Sequence, residues 1–246
     1  ILVDGQPRNK GYKVKSGQWV VLPLAGKKSE QVCFPFSAWP ELRVVKVFNG
    51  FAAVYKPAGL HCQALGLQDF ETLEKALPDM FAHQETILLN RLDRKTSGLV
   101  LVALDSKSCE QYNYFQEKGR ILKSYWALVQ GKIEDEFSCR WMIDSAKKRK
   151  VRVVNKENQS FLRWTRVRPV QYLAGDKTLI QVQILKGQRH QIRAHLAFAG
   201  FPIVGDALYG LVAEKKPLMY LHHYQISMPD FFAQAQPFWP GFELGG

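Results

Sequence analysis

The sequence of 246 residues has few cysteines and no long apolar run. No apolar stretch approaches the roughly 20 residues that a membrane-spanning helix needs, and the first residues lack the basic-then-apolar pattern of a signal peptide. The cysteines, Cys33, Cys62, Cys109 and Cys139, form no CxxC pair and lie near no histidine at a zinc-ligand spacing. We therefore expect a soluble, cytoplasmic protein with reduced thiols, no structural metal and no membrane partner.

Acidic residues are also scarce relative to basic ones. Lys and Arg total 34 against 22 Asp and Glu, which gives a formal net charge of +12. A polyanion is therefore the favoured large partner, with nucleic acid ahead of an anionic membrane surface. Hydrophobic residues make up 46% of the chain, which is enough for a substantial core.

The chain divides into three stretches by composition. Turn signals at Asp4-Gly5 and Ser16-Gly17 break residues 1–26 into short apolar strands, so this part is predicted to be a small β-rich unit. Residues 27–42 show no clear period and are predicted to be a linker. Residues 43–246 are then the main domain. Because the sequence does not begin with methionine, we expect that it continues before Ile1.

Several strands are predicted within the main domain. Asn49-Gly50 joins two β-rich runs and is a strong hairpin signal. Residues 98–104, "GLVLVAL", form a continuous apolar run of strand length, as in a strand buried on both faces. "SYWALVQG" at 124–131 and "TLIQVQIL" at 178–185 are further strands, and glutamines make one face of the latter more polar.

Three helices are predicted beside these strands. Residues 71–77 form a short one that ends before Pro78. Asp105 or Ser106 caps a second that ends at Gly119, and "QIRAHLAFAG" at 191–200 forms the third. Because strands outnumber helices and hairpins are frequent, we predict an α+β fold with a large mixed, mainly antiparallel twisted sheet flanked by helices.

The stretch "LNRLDRKTSGLVLV", residues 89–102, places the lone acid Asp93 among Arg91, Arg94 and Lys95. One interpretation is a surface ion pair of little energetic value. However, the loop leads directly into the apolar run, so the carboxylate is predicted to be rigidly held. Such a carboxylate can act as a nucleophile or a general base.

Three other stretches contain candidate functional groups. In "KGQRHQIRAHLAFAGFPIVGDALYG", 186–210, a basic loop enters a helix, where backbone amides and Arg189 suit a phosphate; alternatively, Gln188 and His190 only cap the helix. In "KSYWALVQG", 123–131, Tyr125 is either a core aromatic or a functional group. The basic run "KKRKVR", 147–152, is a phosphate contact, a nuclear-localisation segment or a solvated face.

Together these stretches resemble the RluA family of pseudouridine synthases. "NRLDRKTSGLVLV" is similar to that family's catalytic signature, "GQRHQIRAHLAFAGFPIVGDALYG" to its second signature, "YKPAGLHC" to its Lys-Pro-Ala-Gly loop and "LKSYWALVQG" to its Lys-x-Tyr-x-Ala-x-Val strand. The four blocks occur in the family's order. Residues 1–26 are similar to the end of an S-four-type RNA-binding domain, which makes them a partial RNA-binding unit.

The resemblance implies that the chain isomerises uridine to pseudouridine in structured RNA, and we favour ribosomal RNA over transfer RNA. This isomerisation involves no redox change and no energy input, so we expect no cofactor. A monomer is the simplest expectation for such a basic chain.

The resemblance also implies that Asp93 is the catalytic residue and that Tyr125 lies against the target base, with proton abstraction as a further role considered for it. Arg193 is expected to pair with the catalytic carboxylate, and Arg91 to help fill the gap left by the extruded nucleotide. The remaining residues expected to bind substrate are Asn90, Lys56, Arg189, His190 and Gln191.

This sequence departs from the family pattern in two places. Asn90 stands where the family has histidine, and Gln188-Arg189 changes the order of the second signature. A second hypothesis is therefore a catalytically inactive RNA-binding protein or RNA chaperone that retains the synthase fold. A third, an unrelated carboxylate-dependent hydrolase, lacks the second acid expected near Asp93.

Overall fold

A computed structural model of the chain describes residues 2–3, 6–7, 20–21, 32–33, 39, 41–64, 71–146, 150–210 and 218–239. The first four strands are short: β1 Leu2–Val3, β2 Gln6–Pro7, β3 Val20–Val21 and β4 Val32–Cys33. The chain then forms β5 Arg43–Phe48, β6 Phe51–Lys56, the helix α1 Leu73–Met80, β7 Ile87–Leu88, β8 Ser97–Ala103 and α2 Ser106–Glu117.

The second half of the chain contains more strands than helices. Its strands are β9 Leu122–Gln130, β10 Phe137–Cys139, β11 Trp141–Asp144, β12 Arg152–Glu157, β13 Thr165–Leu173, β14 Lys177–Ile184, β15 Leu221–Met228 and β16 Phe231–Gln234. A 3₁₀ turn at Phe161–Arg163 precedes β13, and α3 spans Gln191–Phe198.

The large sheet has eleven strands within the described part of the chain, in the order β10-β13-β14-β9-β15-β8-β6-β5-β4, with β16 paired to β15 and β7 to β8. Its pairs are antiparallel except for β15 and β8, which run parallel. The prediction of a mixed, mainly antiparallel sheet with flanking helices is thus confirmed.

The N-terminal stretch contributes two small pieces. β1 pairs with β2 and β3 in a separate antiparallel sheet. Most of residues 1–26 lie outside the described residues, and their likeness to an RNA-binding unit stays a prediction. β4 falls within the stretch 27–42 that was expected to be a linker, and it pairs with β5 of the large sheet.

Two apolar cores cover the two faces of the sheet. Along β8, Val100 and Val102 pack on the same face as α1 and α3, whereas Leu99 and Leu101 pack on the face of α2. All seven residues of β8 are buried. This burial on both faces explains why the sequence of the strand is a continuous apolar run.

Local sequence signals position several of these elements. Asn49 and Gly50 both have positive φ (47° and 75°), as a type I′ turn between β5 and β6 requires. Asp105 caps α2 by accepting a hydrogen bond from the backbone N–H of Ser108, and Gly119 follows the helix with φ 66°.

The predicted end of the first helix was wrong. α1 continues through Pro78 to Met80, although proline cannot donate a backbone hydrogen bond. Leu77 and Met80, on either side of Pro78, are buried against the sheet. This packing outweighs the single lost helical hydrogen bond, because tertiary burial stabilises a short helix more than local propensity does.

The strands β11 and β12 pair in a hairpin that is separate from the large sheet, and in the sequence the basic run 147–152 lies between β11 and the start of β12. Residues 147–149 of that run lie outside the described residues. Ile143 in β11 and Val151 just before β12 pack against Ala194 of α3 and against Tyr209. None of the helices in the described ranges is long and apolar enough to cross a membrane.

Candidate active site

Asp93 lies on the loop between β7 and β8, at the start of the buried strand. The loop turns tightly, since the backbone N–H of Thr96 donates to the Asp93 carbonyl at 3.0 Å. Gly98, with φ 116°, then brings β8 so close to the backbone of His223 in β15 that a Cβ atom would collide with it. The Asp93 backbone is therefore fixed by a tight turn and a close strand contact.

The loop at 57–62 holds this segment from the other side. The backbone N–H of Gly59 donates to the carbonyl of Arg94 at 2.7 Å, and Arg94 Nε donates to the Gly59 carbonyl at 3.0 Å. Cys62 accepts a hydrogen bond at its Sγ from the backbone N–H of Leu92 at 3.2 Å. Asp93 is thus flanked on both sides by residues tied to the neighbouring loop.

Arg193 in α3 binds the Asp93 carboxylate across a separation of 100 residues. Its Nη1 lies 2.6 Å from Asp93 Oδ2. On its other edge, Nε and Nη2 bind Asp206 Oδ2 and Oδ1 at 2.7 and 2.8 Å in a bidentate pair. The Asp206 side chain is fully buried, that of Arg193 is 10% exposed and that of Asp93 is 22% exposed. Asp93 is therefore the accessible end of a buried charge cluster.

The pKa shifts in this cluster favour the charged forms. Burial alone would lower the pKa of Arg193, but its hydrogen bonds to Asp206 and the charge of Asp93 outweigh burial and raise it. Burial would likewise raise the pKa of Asp206, whereas the hydrogen bonds and charge of Arg193 lower it. Backbone N–H groups of Leu208 and Tyr209 also donate to Asp206 Oδ1. Arg193 is thus a fixed cation beside Asp93.

His190 lies on the other side of Asp93. Its Nε2 atom is 3.8 Å from Asp93 Oδ1, the carboxylate oxygen that Arg193 does not hold. Its Nδ1 atom lies 3.0 Å from the hydroxyl of Tyr209. His190 precedes α3 in a left-handed conformation with φ 56°, and its side chain makes no hydrogen bond that caps the helix.

Tyr125 in β9 is buried, with 6% of its surface exposed, and its ring stacks on His223 with centroids 4.5 Å apart. Burial raises the pKa of Tyr125, and the nearby negative charge of Asp93 acts in the same direction. Its phenol therefore stays protonated at neutral pH.

Lys56 at the end of β6 is fully buried, and its Nζ faces the backbone carbonyls of Pro57, Leu60 and Arg94 at 2.8, 2.9 and 3.4 Å. Burial lowers the pKa of this ammonium to about 8, although the charge of Asp93 opposes the shift. Lys56 thus joins the two loops around Asp93 from within the protein.

The other residues expected to bind substrate lie outside the charge cluster. Asn90 accepts the backbone N–H of Leu101 at 2.6 Å through Oδ1, and the buried Gln191 amide donates to the Arg163 carbonyl. The exposed Arg91 donates from Nη1 to the Gln63 side chain at 3.0 Å. Arg189 is exposed, and its Nη2 lies 3.5 Å from the Ser145 carbonyl of the hairpin.

Sequence reasoning missed Asp206 and Tyr209 as parts of this site. Both occur in the second signature, in "VGDALYG", and the available signal was a lone acid that follows the apolar run "FPIV" after a single glycine. The described residues contain no group of three or more His, Cys, Asp or Glu side chains placed to hold a metal ion.

The sequence pattern of the family described as RNA pseudouridylate synthase matches residues 50–198. This match includes β8, the Asp93 loop and α3. The chain therefore belongs to the pseudouridine synthases, in the RluA family, and is an isomerase that converts uridine to pseudouridine in RNA.

Individual relatives agree with this assignment. The ribosomal large subunit pseudouridine synthase C of Rickettsia conorii is 28% identical over 94% of this chain and 80% of its own length. The tRNA pseudouridine synthase C of Vibrio parahaemolyticus is 31% identical over 69% of this chain and 74% of its own. The structure of human RNA pseudouridylate synthase domain containing 1 is similar with a TM-score of 0.67 and 26% identity, covering 82% of this chain and 86% of that one.

Proposed function

We propose that this enzyme isomerises specific uridines in structured ribosomal RNA, with Asp93 as the catalytic carboxylate acting on a nucleotide flipped out of its stack. One observation supports the catalytic role most strongly. Arg193 holds Asp93 Oδ2 at 2.6 Å, and the Asp93 side chain keeps 22% of its surface exposed in an otherwise buried charge cluster. A carboxylate with one oxygen anchored and the other available is preorganised for attack or proton abstraction.

Two chemical routes use this oxygen. In the first, Oδ1 bonds to C1′ while the N1–C1′ bond breaks. The electron pair of that broken bond leaves with the uracil. The uracil rotates, C5 bonds to C1′ and the carboxylate leaves. In the second, Oδ1 removes the C2′ proton as uracil departs, which forms a glycal that C5 then attacks at C1′, and the proton returns to C2′. In both routes the original C5 proton is released to solvent and N1 takes up a proton from solvent, so the product is an isomer of the substrate.

Three residues are proposed to hold the flipped nucleotide. The ring of Tyr125 packs against the uracil, and the exposed Arg91 occupies the gap that the nucleotide leaves. Arg189 contacts phosphate from the start of α3. Stacking worth about 1–3 kcal/mol per base and contacts to phosphates offset the few kcal/mol that extrusion costs.

Ribosomal RNA is proposed over transfer RNA because the Rickettsia conorii enzyme aligns with 94% of this chain, against 69% for the transfer RNA enzyme. The net charge of +12 suits a large RNA, and binding should weaken steeply as salt rises.

The test is pseudouridine mapping of total RNA from cells that lack the gene, complemented with the wild type, Asp93→Asn or Asp176→Asn. Asp176 is an exposed turn residue between β13 and β14, so it is the matched control. We expect a ribosomal site to disappear, and to return with the wild type and Asp176→Asn but not with Asp93→Asn. A transfer RNA site would overturn the substrate, and restoration by Asp93→Asn would overturn the catalytic role. If no site changes and the purified protein still binds RNA, the non-catalytic hypothesis is supported.

A further inference from the structure

His190 and Asp93 present two unlike groups to the same small space. Asp93 Oδ2 is occupied by Arg193, so Oδ1 is the oxygen available to a ligand. His190 Nε2 lies 3.8 Å from that oxygen, which is too long for a direct hydrogen bond. A single hydroxyl between the two atoms can bind both, at about 2.8 Å from each, if the histidine donates and the carboxylate accepts.

Tyr209 determines whether the histidine can donate. Its hydroxyl accepts the backbone N–H of Val151 at 2.9 Å and has one hydrogen of its own. That hydrogen can go to His190 Nδ1 at 3.0 Å or to the Val151 carbonyl at 3.5 Å, and the shorter contact is the stronger bond. His190 Nδ1 is then an acceptor, so Nε2 carries the hydrogen and faces Asp93.

Burial, together with the neighbouring cations, favours the neutral form of this ring. Burial lowers the pKa of His190, and although Asp93 opposes this, the cations Arg193 and Arg189 lower it further. A neutral ring has one N–H, so the partner of Nδ1 decides where that N–H points.

We propose that His190 donates its Nε2–H to the 2′-hydroxyl of the target uridine, and that Tyr209 is the positioning residue that keeps His190 in the donor tautomer. This inference rests on the proposed function, because it assumes that Asp93 Oδ1 meets the ribose of the bound nucleotide. Within an RNA chain the 3′ and 5′ oxygens are esterified, so the 2′-hydroxyl is the free hydroxyl of each ribose, next to C1′. The pair of His190 and Asp93 then distinguishes RNA from DNA at the target nucleotide.

The tautomer can be measured without RNA. Protein labelled with ¹⁵N in histidine is examined by long-range ¹H–¹⁵N correlation, and His190 is assigned from the signals lost in His190→Gln. We expect the Nε2–H form in the wild type and in Tyr172→Phe, a control that removes an exposed hydroxyl from β13. In Tyr209→Phe, whose ring can still pack against Arg193, we expect a mixture of both tautomers. An Nδ1–H form in the wild type would overturn the role of Tyr209.

The hydroxyl contact is tested with two product RNAs that are not turned over. One carries pseudouridine at the target position, and the other carries 2′-deoxypseudouridine there. His190→Gln retains a side-chain N–H at the distance of Nε2, whereas His190→Asn has its amide at the distance of Nδ1. We expect the wild type to bind the ribose form about tenfold more tightly, His190→Gln to keep part of this preference and His190→Asn to lose it.

Two outcomes contradict the proposal: no preference in the wild type, or a full preference in His190→Asn. Failure of the proposed function is seen separately, as absence of pseudouridine formation by the wild type on uridine RNA. The tautomer and the binding preference remain measurable in that case.

Discussion

Replacing Asp206 by asparagine removes one carboxylate from the buried cluster with almost no change in shape. Asp206 binds Arg193 through both oxygens, at 2.7 and 2.8 Å, and its side chain has no exposed surface. Asparagine keeps one acceptor oxygen for the backbone N–H groups of Leu208 and Tyr209. Its amide nitrogen, which is a hydrogen-bond donor, then faces the Nε–H of Arg193, which is also a donor. Arg193 would lose its principal counter-ion and retain only Asp93.

The loss of one partner of a buried pair destabilises a protein by about 3–5 kcal/mol. Because Arg193 keeps a hydrogen bond to Asp93 and its side chain is 10% exposed, we expect the lower end, about 3 kcal/mol. The guanidinium is also freed to rotate, so Asp93 should lose its orientation and the rate of pseudouridine formation should fall at least about tenfold.

Denaturant unfolding measures the first effect, and tritium release from uridine labelled at C5 measures the second. Asp176→Asn, in an exposed turn, is the matched control and should change stability by less than about 0.5 kcal/mol. If Asp206→Asn unfolds within about 1 kcal/mol of the wild type and retains its full rate, then the cluster neither stabilises the fold nor positions Asp93 as argued.

Three further predictions concern other parts of the structure. Burial lowers the pKa of His222 to about 4 and of His223 to about 3, so both take up protons on unfolding in acid, and the free energy of unfolding should fall by about 2 kcal/mol for each histidine from about pH 7 to about pH 5. Gly98→Ala places a Cβ against the His223 backbone and should destabilise by about 2–5 kcal/mol in denaturant unfolding, whereas Gly200→Ala, with positive φ but open space, should cost about 1–2 kcal/mol. Tyr125→Phe keeps the ring and should lower the rate of tritium release less than about tenfold, whereas Tyr125→Leu should abolish it.

Each of these has a distinct contrary outcome. Stability that is unchanged between neutral and mildly acidic pH would mean that the two histidines are not held neutral. Equal stabilities of the two glycine variants would remove the argument from the close contact between β8 and β15. Equal inactivity of both tyrosine variants would assign the function of Tyr125 to its hydroxyl.

Local signals in the sequence were sufficient for much of the sheet. The Asn49-Gly50 turn is a local conformational requirement, and the apolar run of β8 follows from burial on both faces, so both were predictable. The continuation of α1 through Pro78 was not, because it depends on packing against residues distant in sequence.

The site was harder than the fold to predict from residue patterns alone. Arg193 meets Asp93 across 100 residues, and only the resemblance to the family led us to expect this pair. Asp206 was missed because a lone acid has no spacing partner that indicates its contact. Asn90 and Gln191 lie in the signatures, yet their side chains bind the backbone, which no sequence pattern distinguishes from binding a substrate.

The most direct test of Asp93 as the catalytic carboxylate uses purified protein and a ribosomal RNA transcript tritiated at uridine C5. Wild type, Asp93→Asn and Asp176→Asn are compared for tritium release and for RNA binding at the same salt concentration. We predict release by the wild type and by Asp176→Asn, none by Asp93→Asn, and comparable RNA affinity for all three. Release by Asp93→Asn at the wild-type rate would contradict the catalytic role of this residue.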